Sequence, residues 1–295
     1  MIQRLTVIGV GLIGGSLARA LRSADAVGEV IGCGRSIDNL QRAQELGVID
    51  DYSRDPGEAV KGADMVFIAV PLGAIAGVFE RIRGHLSEQT VVTDGGSVKG
   101  SVVADALGAF GQVPAWFVPG HPIAGTERSG VDSSFPELFQ SRRVILTPVA
   151  KTDPDAVTRV RRMWEAVGSE VTEMSVTHHD EVLAATSHLP HMLAFGLVDA
   201  LARMQTNDEI FRYAAGGFRD FTRIASSSPE MWRDICLANA NALSDMLARF
   251  GEEMTELSET IRRADGEALL QVFGRARAAR DCYIDGVDAR NGGGE

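Results

Sequence analysis

The sequence predicts a two-domain chain, with a doubly wound, mostly parallel α/β sheet over residues 1–174 and an all-helical domain over 175–290. Three observations predict it. Near the N-terminus an apolar, β-branched run leads into closely spaced glycines and then into a helical pattern. Strand and helix patterns then alternate to about residue 174, as in a parallel sheet with crossover helices. From Ser175 the alternation stops and helical spacing of apolar residues takes over.

Leu5 to Ile8 reads as a buried parallel strand and Leu12 to Arg22 as a helix, with Gly9, Gly11 and Gly14 between them at G-x-G-x-x-G spacing. In that context each glycine has its own task. Gly9 makes the tight turn, Gly11 lets the backbone approach a pyrophosphate, and Gly14 lets the helix pack against the strand. The amides of Leu12 and Ile13 open the helix, where unpaired N–H groups and the dipole favour an anion. This predicts a Rossmann-type dinucleotide-binding domain. A glycine-rich turn that binds nothing is the plainer reading.

The later elements follow in order. Glu29 to Cys33 is the second strand, and Asp38 to Leu46 the helix after it. Met65 to Val70 is a central strand stopped by Pro71, which sets Val70 and Pro71 among the cofactor-binding residues, since ligands bind at the carboxyl ends of such strands. Thr90 to Thr93, Phe117 to Pro119, Val144 to Thr147 and Glu170 to Met174 are expected to complete the sheet, with a helix from about Pro154 to Val167. An NAD-selective site usually carries an acid about 20 residues beyond the glycines. Here that place is Gly34, followed by Arg35 and Ser36. No carboxylate repels a 2′-phosphate there, and a guanidinium and a hydroxyl are available to bind one. The expectation is NADP rather than NAD; an Arg35 that only stacks on adenine would leave NAD accepted.

Composition narrows the class. The 295 residues suffice for two cores, and the net charge of −11 argues against nucleic-acid or anionic-membrane surfaces. No apolar run approaches the ~20 residues of a membrane span. Met1 leads straight into the first strand, so no signal peptide is expected. Cys33, Cys236 and Cys282 have neither metal-like nor disulfide-framework spacing. A cytoplasmic protein without a metal is expected, with 291–295 as a disordered tail.

Two polar loops stand out. Ser97 follows two glycines, where it either N-caps the next helix or sets its hydroxyl beside a nicotinamide. His121, between Gly120 and Pro122 on a loop after a strand, is better explained by chemistry than by packing.

In the second part Thr177 to Asp180 reads as a helix start, with Thr177 as N-cap and Asp180 three residues on. A metal reading of His178 and His179 is disfavoured, because adjacent residues do not share a helix face. Ser187 and His191, four apart, do share one. Pro190 is expected to bend or break that helix, and His188 to be an interior, hydrogen-bonded histidine. Gly216 to Ile224 carries Arg219, Asp220 and Arg223. Ser226 to Pro229 caps a helix from Glu230 to about Arg249, and 252–265 and 267–280 read as two more. Leu237, Leu243, Met246, Leu247 and Phe250 recur at helical spacing, a stripe suited to a core or a dimer contact.

Five motifs occur in order: Gly9-Val-Gly-Leu-Ile-Gly-Gly-Ser16, Asp94-Gly-Gly-Ser-Val-Lys99, Gly120-His-Pro-Ile-Ala-Gly125, Ser187-His-Leu-Pro-His191 and Gly217-Phe-Arg-Asp-Phe-Thr-Arg223. Together they resemble the prephenate/arogenate dehydrogenase family of tyrosine biosynthesis, over nearly the whole chain. The resemblance implies oxidative decarboxylation of prephenate or arogenate, and a homodimer built through the helical domain. It implies that His121 is the catalytic histidine on the ring hydroxyl, and that Ser97 supports it. It also implies that Arg223 binds a substrate carboxylate with Asp220 as its acid partner, and that His191 and Ser187 line the side-chain end of the pocket. The chain departs from many NAD-using members at Gly34. A β-hydroxyacid dehydrogenase would explain the first part equally well, but not the histidine and arginine motifs. A nucleotide-binding sensor without chemistry leaves His121 and Ser97 unexplained.

Overall fold

The computed structural model describes residues 1–126, 128–204 and 207–291; the tail at 292–295 lies outside the described residues. Two compact units share the chain, Met1–Leu243 and the residues from Ser244 on. The first is built on a six-stranded parallel sheet of β1 (Ile2–Ile8), β2 (Val27–Cys33), β3 (Asp51–Ser53), β4 (Met65–Ile68), β5 (Val91–Asp94) and β6 (Phe117–Val118). The order is β3-β2-β1-β4-β5-β6, so the direction of winding switches between β1 and β4. The crossover helices are α1 (Leu12–Ser23), α2 (Ile37–Glu45), α3 (Pro56–Ala59), α4 (Ile75–Ile82) and α5 (Lys99–Phe110), with α6 (Pro154–Ala166) later in the chain.

Strand alternation divides the core in two. Leu5, Val7, Met65 and Phe67 pack on one face with Leu17, Leu21 and Trp164, while Ile8, Val66 and Ile68 pack on the other with Phe79 and Phe117. Both faces are dry, which is why these strands read as continuous apolar runs rather than alternating ones. Edge-on ring pairs close each layer, Phe67 with Trp164 at 5.5 Å and Phe79 with Phe117 at 5.1 Å.

The last predicted strands do not extend this sheet. Instead β7 (Gly120–Pro122), β8 (Arg143–Leu146) and β9 (Glu170–Glu173) form a separate three-stranded sheet, with β7 antiparallel to β8 and β8 parallel to β9. The cause lies just after β6. Pro119 has no N–H for a ladder, and the amide of Gly120 is taken at 3.1 Å by the Asp94 carboxylate. His121 therefore sits in a strand, opposite Ile145, rather than in a loop.

Helices complete the first unit: α7 (Val176–Leu183), α8 (Leu189–Ala202), α9 (Asn207–Arg212), α10 (Gly216–Thr222) and α11 (Pro229–Ala238). Three expectations need correction here. The N-cap of α7 is Ser175, whose hydroxyl accepts from the His178 amide, and not Thr177. Pro190 does not break the helix, because α7 passes through a π-turn at Ala184–His188 directly into α8. That wide turn absorbs the backbone donor that proline lacks. The helix expected from Glu230 to Arg249 is interrupted at Asn239 (φ −110°, ψ 33°). Its start is as read, with Ser228 accepting from the Met231 amide.

After the break α12 (Ala240–Arg262) runs straight through the boundary expected near 252, and α13 (Gly266–Asn291) follows. The turn between them carries Ala264 at φ 55°. Of the predicted apolar stripe Leu243 is buried, while Leu237 and Leu247 are exposed on the single chain. Among the described residues no helix is long and apolar enough to cross a membrane.

Candidate active site

The glycine turn lies at the switch point between β1 and β4. Gly9 has φ +100°, and a Cβ there would stand 2.3 Å from the Ala69 carbonyl oxygen. At Gly14 a Cβ would meet the Gly9 oxygen at 2.3 Å and a Val7 methyl at 2.7 Å. Both positions exclude a side chain for packing reasons. Gly11 differs, because nothing lies within 4 Å of its Cβ position. It is also the N-cap of α1, with no side chain bonded to the first amides. An open cradle over free amides at a helix start fits a dinucleotide pyrophosphate. Gly11→Ala is thus expected to fold with near-native Tm and yet weaken dinucleotide binding by roughly 1–3 kcal/mol, about 5–150-fold in Kd. Gly9→Ala should lower Tm itself. Thermal melts and dinucleotide titration of both variants check this, and unchanged binding by Gly11→Ala would remove the pyrophosphate from this turn.

Arg35 and Ser36 follow β2, exposed, at the start of α2. Ser36 caps that helix by accepting from the Asn39 amide at 3.2 Å, which leaves its own hydroxyl proton to donate. Gly34 is not forced by packing, since a Cβ there would touch Leu40 only at an ordinary 3.6 Å.

At the carboxyl end of β5 the buried charges converge. Asp94 and Lys99 are both fully buried and form an ion pair. Lys99 Nζ also donates to the Gly120 carbonyl at 2.7 Å, while Asp94 accepts from the Gly96 and Gly120 amides at 2.8 and 3.1 Å. Gly120, the residue before His121, is so held by both its backbone groups. Burial pulls the Lys99 ammonium below the ordinary lysine range, and the Asp94 charge and hydrogen bond oppose that pull.

The cap of α5 also departs from expectation. Its N-cap is Val98, without a side-chain cap bond, so Ser97 does not cap the helix. The first amides, Lys99 and Gly100, donate instead to Asp180, each at 2.8 Å. Asp180 comes from α7, which packs on α5. Its carboxylate caps a neighbouring helix rather than closing a capping box on its own. Burial alone would raise its pKa, but the bonds from His179 and from those two amides bring it below the ordinary carboxylate range.

His121 points its Nδ1 at His179 Nε2, 2.9 Å away, and His179 Nδ1 in turn meets Asp180 Oδ1 at 2.7 Å. Burial, joined by the charge of Lys99, holds His121 well below the ordinary histidine pKa. It is a neutral imidazole at neutral pH, which is what a proton acceptor requires.

Next to it, His188 is the interior histidine the sequence implies. It is buried, bonded to Asn239 at 3.2 Å, and lowered by burial to about 4. His191 stacks on Trp232 with ring centroids 3.8 Å apart, and its Nδ1 bonds the Ser187 carbonyl at 2.8 Å. Burial lowers the pKa of His191, and the positive charge of nearby Arg223 lowers it further. Arg223 stands at the end of α10, in the 3₁₀ turn Arg223–Ser226 that packs on α8; Asp220 is exposed on α10. Ser97 lies half-buried between β5 and α5.

Sequence reasoning missed His179, Asp180, Lys99, Asn239 and Trp232. The signals available were the His-His-Asp run at 178–180, read as a helix start with a metal role disfavoured, and the Asp94–Lys99 motif, in which Lys99 was given no role. Among the described residues no group of histidines, cysteines and acids could hold a metal.

A switch-point glycine turn and a neutral, anchored histidine at the same end of the sheet define a dinucleotide-dependent oxidoreductase. Comparison narrows the class. The profile for the prephenate dehydrogenase nucleotide-binding domain matches residues 17–173, and that for the prephenate dehydrogenase dimerization domain matches 175–275. A cyclohexadienyl dehydrogenase of Zymomonas mobilis is 39% identical over 281 residues, covering 94% of this chain and 95% of its own length. The crystal structure of Aquifex aeolicus prephenate dehydrogenase, solved with hydroxyphenyl propionate and NAD+, superposes with a TM-score of 0.89 at 38% identity, over 95% of this chain and 98% of that one. Synechocystis arogenate dehydrogenase follows with a TM-score of 0.81 at 29% identity, over 95% and 100%. The chain belongs to the prephenate dehydrogenase family.

Proposed function

We propose that this protein carries out the NAD(P)-dependent oxidative decarboxylation of prephenate, arogenate or both, giving 4-hydroxyphenylpyruvate or tyrosine in tyrosine biosynthesis. The observation that carries this reading is His121, a neutral imidazole fixed at the carboxyl end of the sheet. Gly9, Gly11, Leu12, Ile13, Gly14, Val70 and Pro71 hold the dinucleotide, which when bound supplies the hydride acceptor. His121 takes the proton of the ring hydroxyl as that carbon is oxidised, with Ser97 supporting base and hydroxyl. The ring carboxylate then leaves as carbon dioxide, and the gain of aromaticity drives the step forward. Arg223 binds a substrate carboxylate through charge-assisted hydrogen bonds, with Asp220 as its acid partner. Ser187 and His191 line the side-chain end. The protein works as a cytoplasmic homodimer joined through its helical domain, in line with the dimerization-domain match and the exposed apolar stripe.

For the cofactor the reading is NADP before NAD, held at its 2′-phosphate by Arg35 and Ser36. The test is dinucleotide reduction in four assays, prephenate or arogenate with NAD or NADP. Reduction in at least one is expected, faster with NADP, and Gly34→Asp should shift the preference to NAD by setting a carboxylate against the 2′-phosphate. A wild type that prefers NAD would remove Arg35 and Ser36 from that role. Silence in all four, from folded protein that binds the dinucleotide, would return the choice to a β-hydroxyacid dehydrogenase type of reductase.

A further inference from the structure

The groups behind His121 form a closed circuit. His121 bonds His179, His179 bonds Asp180, and Asp180 accepts from the Lys99 amide. The Lys99 ammonium then returns to the carbonyl of Gly120, the residue before His121. We propose that His179 and Asp180 are positioning residues that fix which nitrogen of His121 carries hydrogen, leaving its Nε2 bare to receive the substrate proton. This rests on the reading of His121 as the base.

The direction of each bond follows from what its partners are able to do. The amides of Lys99 and Gly100 only donate, so the Asp180 carboxylate is an acceptor on both oxygens. His179 must therefore hold its proton on Nδ1, facing Asp180 Oδ1. With that single proton on Nδ1, the Nε2 of His179, which is fully buried, presents a lone pair. That lone pair accepts the Nδ1–H of His121, and the free lone pair of His121 then lies on Nε2. When the hydroxyl O–H breaks, the new N–H forms at Nε2. The resulting imidazolium keeps its Nδ1–H directed along His179 toward the Asp180 charge. A doubly protonated His179 would donate at both nitrogens and reverse the pattern, with hydrogen on His121 Nε2 and no base. Lys99 fixes both ends of the chain, since one residue holds the carboxylate through its amide and the base-bearing strand through its ammonium.

The test begins with ¹⁵N spectra of the histidine rings in the full chain at neutral pH, with His121 assigned by the loss of its signals in His121→Asn. A protonated Nδ1 and a bare Nε2 on His121 are expected, and hydrogen on Nε2 would overturn the proposal. Kinetics give the second readout. His179→Leu removes the acceptor and should lower kcat by about 10²–10⁴ with KM little changed, as when a triad histidine loses its orienting group. His179→Gln, whose amide oxygen reaches the place of Nε2, should recover most of that loss. Asp180→Asn should lower kcat at least tenfold, because its NH₂ must oppose either the Gly100 amide or His179. If His179→Leu does not fold, the wild-type spectrum and Asp180→Asn decide. An active His121→Asn would remove the base, and this inference with it. An inactive His121→Asn together with His179→Leu turning over within threefold of wild type would overturn the inference alone.

Discussion

Replacing His121 by asparagine is expected to cut kcat by about 10²–10⁴, the usual worth of a positioned general base, while dinucleotide affinity stays at the wild-type value. Asparagine places its amide nitrogen near the position of Nδ1, so the bond toward His179 survives and the fold with it. What disappears is the acceptor at Nε2. Dinucleotide titration and steady-state rates on the same preparation separate the two effects, and turnover near wild type would take His121 out of the mechanism. The wild-type pH profile adds a signed expectation. Protonation disables the base, and burial, with the Lys99 charge nearby, makes protonation harder. The acid limb of kcat/KM should therefore lie below the ~6.5 of an unperturbed histidine. A limb at that ordinary value would mean that the base is not the buried imidazole.

Lys99→Met is expected to cost about 3–5 kcal/mol of stability, a fall in Tm of roughly 6–20 °C for a unit of this size. Both members of the Asp94–Lys99 pair are buried without solvent contact, so removing the ammonium leaves a carboxylate in the core. Among the described residues, only the Gly96 and Gly120 amides remain to it. The sign of the pH effect follows. An unpaired buried carboxyl binds a proton more readily in the folded state than in the unfolded one. The gap between variant and wild type should thus narrow as pH falls. Chemical denaturation at neutral and acid pH measures it, and a cost below about 1 kcal/mol would show that the pair contributes little to the fold.

The parallel sheet was legible because its strands are buried on both faces and end at glycines or proline, as at Gly9 and Pro71. The π-turn was not, since a proline in a helical pattern signals a break and carries no mark of how the backbone accommodates it. Nor was the small second sheet, because the departure of the chain after β6 depends on Asp94 taking the Gly120 amide, a contact across 26 residues. Among the candidate site residues, His121 stood out as a polar residue between glycine and proline after a strand, His191 by its helical spacing from Ser187, and Arg223 through the family resemblance. Their supports did not. Asp180 reads locally as part of a helix start, and only the packing of α7 on α5 turns it toward another helix. Lys99 sits among residues that predict nothing about the direction of its side chain. Asn239 is an ordinary helical position until its side chain bonds the Asp180 carbonyl and the His188 ring.

The wide turn at Ala184–His188 also sets an angular phase. Successive residues of an α-helix are offset by about 100° around its axis, and a π-turn accommodates one residue more than an α-turn would. Upstream of it, His179 and Asp180 face α5 and the base; His188, its last residue, meets Asn239, and downstream His191 stacks on Trp232. Winding the same residues as a uniform α-helix, with none deleted, would rotate everything after the turn by roughly that angle. His191 would swing off Trp232, with no substitution at any residue of the site. The winding of this short segment is therefore as much a determinant of the pocket as the side chains that line it.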